Sequence, residues 1–250
     1  MRSGVESGYV NQMVSQDRRA AISRDKLLAA AAAEFAARGF AGAKVDRIAA
    51  KARLNKAMIY YHFRNKAALY REILAGVFGT IADAVSADVP ASAGADVQLR
   101  TFIQTIAREV AGRPHFASMW LRELADGGTH LDASILAEMR RVLEALAGII
   151  GRGVEAGRFQ PVHPLVVQIG IVGPLLMFAA SAPARARLGR RGDLLPAPAP
   201  GDLLRHVERA ALGALQSTDV GDAAARRHGG AATGLRDDGR KRAVGRSGHV

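Results

Sequence analysis

The sequence contains no cysteine, and this absence excludes disulfide bonds, thiolate metal sites and cysteine nucleophiles. It also has no glycine-rich phosphate-binding loop, no G-x-S-x-G serine elbow and no H-E-x-x-H zinc motif. No segment repeats internally, and none alternates apolar and polar residues as a half-buried strand would. We therefore expect an all-α protein that is not an enzyme and that uses no cofactor.

A secretion signal is also missing, because the N-terminal stretch MRSGVESGYVNQMVSQ lacks an uninterrupted apolar core. Together with the lack of cysteine, this predicts a cytoplasmic protein. The chain has 250 residues and 49% hydrophobic content, which is enough to bury a core. Its 35 lysines and arginines exceed its 23 acidic residues and give a formal charge of +12. Such a charge attracts polyanions, either nucleic acid or an acidic membrane surface.

Residues 45–66, VDRIAAKARLNKAMIYYHFRNK, carry the clearest pattern in the chain. The first part places Val45, Ile48 and Ala52 on one helical face, and the second part turns Ile59 and Phe63 inward. A break between them separates two short amphipathic segments. Two short helices joined by a tight turn make a helix-turn-helix.

The outward side chains of the second segment suit nucleic acid. A duplex is held by cations and by hydroxyl or imidazole donors to phosphate oxygens. Such groups are supplied here by Lys56, Tyr60, Tyr61, His62 and Lys66. The alternative interpretation makes the tyrosines core aromatics and the lysines a solvated face. Adjacent tyrosines cannot both face one core, so this alternative explains only one of them.

The longer run KLLAAAAAEFAARGFAGAKVDRIAAKARLNKAMIYYHFRNKAALYREIL, residues 26–74, closely resembles the DNA-binding domain of TetR-family transcriptional regulators. The resemblance rests on AAAAEFAARGF, VDRIAAKA and NKAMIYYHFRNKAAL. It implies that phosphates are contacted by Tyr60, Tyr61, His62 and Lys66. It also implies that Asn55, Lys56 and Ala57 face the bases.

Two positions depart from the family pattern. Arg53 stands where the family has a glycine in the turn, so it must either adopt a left-handed backbone or reshape the turn. The usual threonine or serine cap of the second helix is replaced by Ala43 and Lys44, which removes an acceptor for the free helix amides. Lys44 is instead within reach of a phosphate. Both changes bear on the angle between the two helices.

The rest of the chain predicts about nine helices. Residues 1–20 are expected to form a flexible arm, residues 21–66 the DNA-binding domain, residues 67–216 an effector-binding and dimerisation domain, and residues 217–250 a disordered tail. The first helix is expected to begin near Ser23 and to stop at Gly39. Residues 183–200, rich in proline, alanine and arginine, predict a loop.

The apolar segment LVVQIGIVGPLLMFAASA, residues 165–182, reaches the ~18-residue lower limit of a membrane span. A helix that is apolar on all sides is embedded either in a membrane or in protein. Beside a DNA-binding head, we favour burial in protein and expect no membrane partner. This helix and the last helix resemble the family's dimerisation pair.

Several bulky or polar side chains between residues 66 and 215 are candidates to line a cavity, although most should be core. In TetR-like proteins this region binds small effectors, but its sequences diverge, so the resemblance transfers the role without the residues. The candidates are Phe102, His115, Phe116, Met119, Trp120, Glu123, Met139, Met177 and Phe178.

One polar cluster, Glu123, Asp126 and His130, admits two interpretations. Carboxylates and imidazole can ligate a metal, but no third helix partner is evident, so we favour a solvated helix end and expect no metal.

Together these patterns predict a homodimeric regulator, a repressor that a small molecule releases from DNA. Its recognition helices would lie ~34–36 Å apart to enter successive major grooves of a pseudo-palindromic operator. The main alternative is a helical binding module that kept the head and lost operator recognition, for which Arg53 is the best support. An enzyme ranks third.

Overall fold

Ten α-helices make up the computed structural model, which describes residues 3–189, 198–199 and 201–216, with side chains from residue 18 onward. No strand occurs among these residues, so the predicted all-α fold is confirmed. The helices are α1 (Ser3–Gly42), α2 (Val45–Ala52), α3 (Ala57–His62), α4 (Lys66–Asp88), α5 (Ala95–Ala111), α6 (Phe116–Ala125), α7 (Ala133–Glu155), α8 (Pro164–Ala180), α9 (Ala182–Gly189) and α10 (Asp202–Gln216). The predicted tail, residues 217–250, lies outside the described residues.

The tenth helix, α9, corrects the sequence prediction. It occupies part of the segment that was expected to be a loop. Alanines at every second position favour the helix, and Pro183 sits in its first turn, where proline costs no intrahelical hydrogen bond.

The start of α1 also differs from the prediction. The helical backbone begins at Ser3 and runs through the region that was expected to be an arm. Ser23 is not the cap, because its hydroxyl donates to the Ala20 carbonyl from within the helix. Gly39 has φ 70° and ψ 173° and kinks the chain before Phe40. The predicted stop at this glycine is therefore a change of direction.

The first three helices enclose the core of the head. Leu27 and Phe35 of α1 are fully buried, as are Ile48 of α2 and Ile59 of α3. These are the inward positions that the helical spacing predicted. Phe63, just after α3, closes the same core.

Helix α4 joins the head to the body. Its first turn is capped by Asn65, whose Oδ1 accepts the Ala68 amide at 2.8 Å. Buried Leu69, Leu74, Ile81 and Val85 follow along one face and pack first on the head and then on α7. At ~1.5 Å per residue, this single helix spans about 35 Å.

The body consists of α5 to α8 and α10 around an apolar core that includes Phe102, Leu146 and Ile171. Helix α8 is apolar all round, but only Val167, Ile171, Leu175 and Leu176 are buried within this chain. Its other face exposes Leu165, Val166, Ile169 and Met177. No single described helix is long and apolar enough to span a membrane; α8 with residues 182–188, a pair bent by 52°, passes that test of length and composition only together.

Candidate nucleic-acid interface and effector region

The turn between α2 and α3 resolves the question raised by Arg53. Arg53 adopts the left-handed conformation, with φ 56° and ψ 42°. The Arg53 amide donates to Ala50 O at 3.1 Å and the Leu54 amide donates to Ala49 O at 3.0 Å. These are the two hydrogen bonds of a Schellman C-cap. The first of the two alternatives therefore holds: arginine tolerates the left-handed backbone and the turn keeps its geometry.

The start of α2 lies beside a buried carboxylate. Lys44 makes no side-chain cap, but Glu34 of α1 is buried beside it and accepts from Arg47 Nε at 2.5 Å. The Lys44 amide approaches the same carboxylate at a longer 3.5 Å. Burial opposes ionisation of Glu34, yet the Arg47 hydrogen bond and the Lys44 amide hold its pKa below the ordinary value.

Glu34 and Arg47 were absent from the sequence-based site. Their signal was a glutamate inside an alanine-rich apolar run, a residue that is rarely buried without a partner. Lys44 itself is exposed, in a position where it is free to meet a phosphate.

Helix α3 presents its two tyrosines to solvent. The Asn55 Oδ1 accepts the Ala57 amide at 2.9 Å and so fixes the first turn. Ile59 and Phe63 anchor the inner face. Tyr60 and Tyr61 are 53% and 73% exposed, so neither ring is core. Asn55, Lys56 and Ala57 at the N-terminal end of α3 are exposed as well.

Lys56 does not stand alone on this surface. Its Nζ lies 2.8 Å from Asp46 Oδ1, and both side chains are exposed. The hydrogen bond to Asp46 raises the pKa of Lys56, and the same bond lowers the pKa of Asp46. Exposed pairs of this kind contribute little to stability, so Lys56 is able to exchange Asp46 for another acceptor.

Lys66 and His62 correct the prediction that they point outward. The Lys66 Nζ donates to Phe40 O at 2.9 Å and to Ala43 O at 3.2 Å, and it sits 4.5 Å from the centre of the Phe40 ring. It therefore caps the kinked end of α1. The His62 Nε2 is 2.7 Å from the Ser23 hydroxyl, and burial, then Arg24, lowers the pKa of His62. Both side chains hold the head together.

The nine candidate effector residues are divided between the core and the surface. Five of them are core: Phe102, Phe116, Met119, Trp120 and Glu123. His115 and Met177 are exposed, while Met139 and Phe178 are half-buried. The buried aromatic rings pack on one another and on Phe78, whose ring is nearly perpendicular to those of Trp120 at 4.9 Å and Phe116 at 5.5 Å.

Two cavities lie elsewhere. One of about 380 Å³ opens between α4 and α7, and one of about 240 Å³ opens between α1, α4 and the connection before α6. None of the nine candidates lines either cavity.

The Glu123 and His130 pair is not a solvated helix end. Glu123 is buried and accepts both the His130 amide, at 2.7 Å, and the His130 Nδ1, at 3.0 Å. The imidazole packs 4.0 Å from the Phe40 ring and 5.0 Å from the Tyr70 ring. Burial, then Glu123, raises the pKa of Tyr70 well above its usual range.

This cluster joins the loop after α6 to the kinked end of α1 in the head, so it is a contact between body and head. No group of three histidine, aspartate or glutamate side chains that could hold a metal ion occurs in the part of the chain that the structure describes.

Known proteins resemble parts of this chain in sequence. A family model described as bacterial regulatory proteins, tetR family, matches residues 27–73. The HTH-type transcriptional repressor SCO4008 of Streptomyces coelicolor is 48% identical over 52 residues, which are 21% of this chain and 27% of that protein. The HTH-type transcriptional repressor NicS of Pseudomonas putida is 26% identical over 136 residues, 54% of this chain and 63% of that protein. The matched segments thus span less than two thirds of these relatives.

Solved structures resemble this fold over more than three quarters of the chain. A tetR-family regulator from Rhodococcus RHA1 superposes with a TM-score of 0.62 at 19% identity, covering 79% of this chain and 98% of that chain. The fatty acid degradation regulator FadR of Bacillus halodurans gives a TM-score of 0.59 at 20% identity, covering 78% and 97%. At such identities the likeness concerns the fold alone.

These findings define the class of protein to which the fold corresponds. The described helices form the fold of a helix-turn-helix regulator with a helical body. The head carries the TetR signature that the sequence predicted, and the resemblance to TetR-family transcriptional regulators is confirmed. The relatives are transcriptional regulators, which are not enzymes.

Proposed function

We propose that this protein is a sequence-specific DNA-binding transcriptional regulator that acts in the cytoplasm as a repressor and leaves its operator when a small molecule binds. The observation that carries the proposal is the exposure of Tyr60 and Tyr61 on a short helix anchored by Ile59 and Phe63. A core or structural role would bury at least one of those rings, whereas a phosphate contact needs both hydroxyl groups in solvent.

The contacts divide into two groups. Lys44, Tyr60 and Tyr61 are assigned to backbone phosphates, because they flank the exposed end of the head. The residues assigned to base edges are those at the N-terminal end of α3: Asn55, Lys56 and Ala57. His62 and Lys66 are assigned a positioning role, since their polar atoms already have partners in the head.

The test is DNA selection. Double-stranded fragments retained by the purified protein are sequenced, and binding to the recovered site is measured for the wild type, for the double variant Tyr60→Ala, Tyr61→Ala and for Arg140→Ala. Arg140 is exposed on α7, remote in sequence from the head, and serves as the control. We expect a pseudo-palindromic site, loss of binding in the double variant and no change in the control. Retention of random sequences would overturn the proposal.

The homodimer is supported by the outer face of α8. Val166 and Ile169 are 62% and 63% exposed, and Met177 continues the stripe at 59%. Three large apolar side chains on one exposed helix face indicate a binding surface rather than a solvated one. Helix α10 packs beside α8 and exposes the small residues Ala210, Gly213 and Ala214. A second copy of this face would cover both helices around a two-fold axis.

Light scattering tests the dimer. Ile169→Arg puts a charge into the proposed interface and should give a monomer, while Val97→Arg, at an exposed apolar position of α5, should leave the dimer intact. A monomeric wild type, or a dimer in both variants, would contradict this part of the proposal.

The alternative, a module that no longer recognises an operator, has lost its main support, because Arg53 keeps the left-handed turn. Selection of random DNA by the wild type would revive it.

A further inference from the structure

The cleft of about 380 Å³ between α4 and α7 has an apolar floor and a charged rim. Val85 of α4, Val89 just after it, and Ala145 and Ile149 of α7 are among the residues that line it. Its size is at the lower end of the roughly 300–1,000 Å³ typical of ligand pockets, so a ligand must be small. The floor accepts an aliphatic or aromatic group, and the charges on the rim decide what the other end of the ligand carries.

The rim carries the side chains of Arg141, Glu144 and Arg152. Arg141 is already neutralised, because it contacts Asp83 Oδ1 and Glu138 Oε2, each at 2.6 Å. Arg152 differs: within the described part of the chain it forms no ion pair. Its Nε and Nη2 donate, at 3.1 and 2.8 Å, to the neutral amide oxygen of Gln98.

The Gln98 side chain is fully buried and has one possible orientation. Its Nε2 donates to Pro90 O at 2.9 Å and to Ala91 O at 3.0 Å, so its oxygen must face Arg152. A buried amide thus holds one edge of the guanidinium in place at the mouth of the cleft. A guanidinium has five N–H donors, and Gln98 takes one edge only. The N–H donors of the guanidinium that Gln98 does not engage remain for a carboxylate.

Gly148 makes room for this arrangement. A Cβ at residue 148 would lie 3.2 Å from the Arg152 Nη1, so the guanidinium rests against the bare backbone of α7. Even the Cβ of an alanine there would require the Arg152 Nη1 to give by a few tenths of an ångström.

We propose that this cleft binds a small monocarboxylate with an apolar tail, with the carboxylate on Arg152 and the tail on Val85, Val89 and Ile149. Its regulatory meaning rests on the proposed function, in which such a ligand is the effector. The cleft is also connected to the head through α4. Gln98 fixes the loop that follows α4, and the other end of α4 begins at Lys66 in the head. A ligand that pulls on Arg152 acts on the C-terminal end of that helix.

Calorimetry without DNA tests the binding, with octanoate, 1-octanol and octylamine as matched probes. We expect octanoate to bind, octanol to bind more weakly and octylamine not to bind. Arg152→Gln should weaken octanoate about tenfold or more, because it removes a charge-assisted hydrogen bond. Arg152→Lys should restore part of the affinity, and Arg140→Gln, a solvent-exposed arginine of the same helix outside the cleft, should change nothing.

Gly148→Ala provides a second variant that keeps the arginine and displaces it, and it should also weaken octanoate. No binding of octanoate at millimolar concentration, equal binding by Arg152→Gln, or binding of octylamine as strong as that of octanoate would overturn the proposal. The operator measurement is separate. If octanoate binds through Arg152 but the protein selects no DNA site, the proposed ligand cleft is supported and the proposed regulatory function is refuted.

Discussion

Replacing Arg53 by glycine should stabilise this protein, although it removes a whole side chain from the surface. A left-handed backbone costs an L-residue roughly 1–2 kcal/mol, and Arg53 occupies it at φ 56°. Glycine avoids that strain but loses more backbone entropy on folding, roughly 0.5–1 kcal/mol. The difference predicts a gain of about 0.5–1 kcal/mol in the free energy of unfolding.

Calorimetric melting or urea unfolding measures this gain. For a chain of this size, about 1 kcal/mol shifts Tm by roughly 2–4 °C, so the expected increase is about 1–4 °C. The matched control is Gly157→Ala, because Gly157 also follows a helix in the left-handed region, at φ 64°, with no atom within 4 Å of an added Cβ. That change should lower the stability by about 1 kcal/mol.

The pair of results separates strain from contacts. If Gly157→Ala destabilises while Arg53→Gly is neutral or destabilising, then the Arg53 side chain stabilises the head by more than its backbone costs, and the strain argument is wrong. Binding of the glycine variant to the selected DNA shows in addition whether the exposed guanidinium contributes to affinity.

Three further outcomes follow from the same structure. Log affinity for DNA should fall linearly with log salt, and Lys44→Ala should reduce the slope by about one, the value for a single phosphate contact; a curve unaffected by salt would refute the phosphate assignment. Glu123→Ala should lower the free energy of unfolding by about 2 kcal/mol in urea titrations, because the half-buried amide and Nδ1 of His130 lose their acceptor; no loss would mean that water replaces it. The pKa of Glu34 lies below its ordinary value of 4.5, so its contribution to the free energy of unfolding is present above that pH and is lost as the pH falls through the folded-state pKa. Acid unfolding of Glu34→Gln should lack this pH-dependent contribution, and an unchanged profile would contradict the assignment.

The sequence by itself determined most of the helices, α9 and the start of α1 excepted, and which of their faces point inward. Helical spacing identified Ile48, Ile59 and Phe63 as inward positions of the head, because side chains three or four positions apart share one face of a helix. The pattern also excluded a shared core for the adjacent tyrosines, which are both exposed. The motif was specific enough for the family resemblance to be confirmed.

Tertiary structure alone decided which partners the long polar side chains reach. Lys66 finds acceptors 26 and 23 residues earlier in the chain, His62 meets a hydroxyl 39 residues away, and Arg152 meets Gln98 at a separation of 54. The effector candidates illustrate the same dependence: size and polarity mark a residue as suited to a cavity, but only packing determines whether neighbours fill the space. Local periodicity fixes the direction in which a side chain leaves its helix, whereas its partner depends on how helices distant in sequence come together.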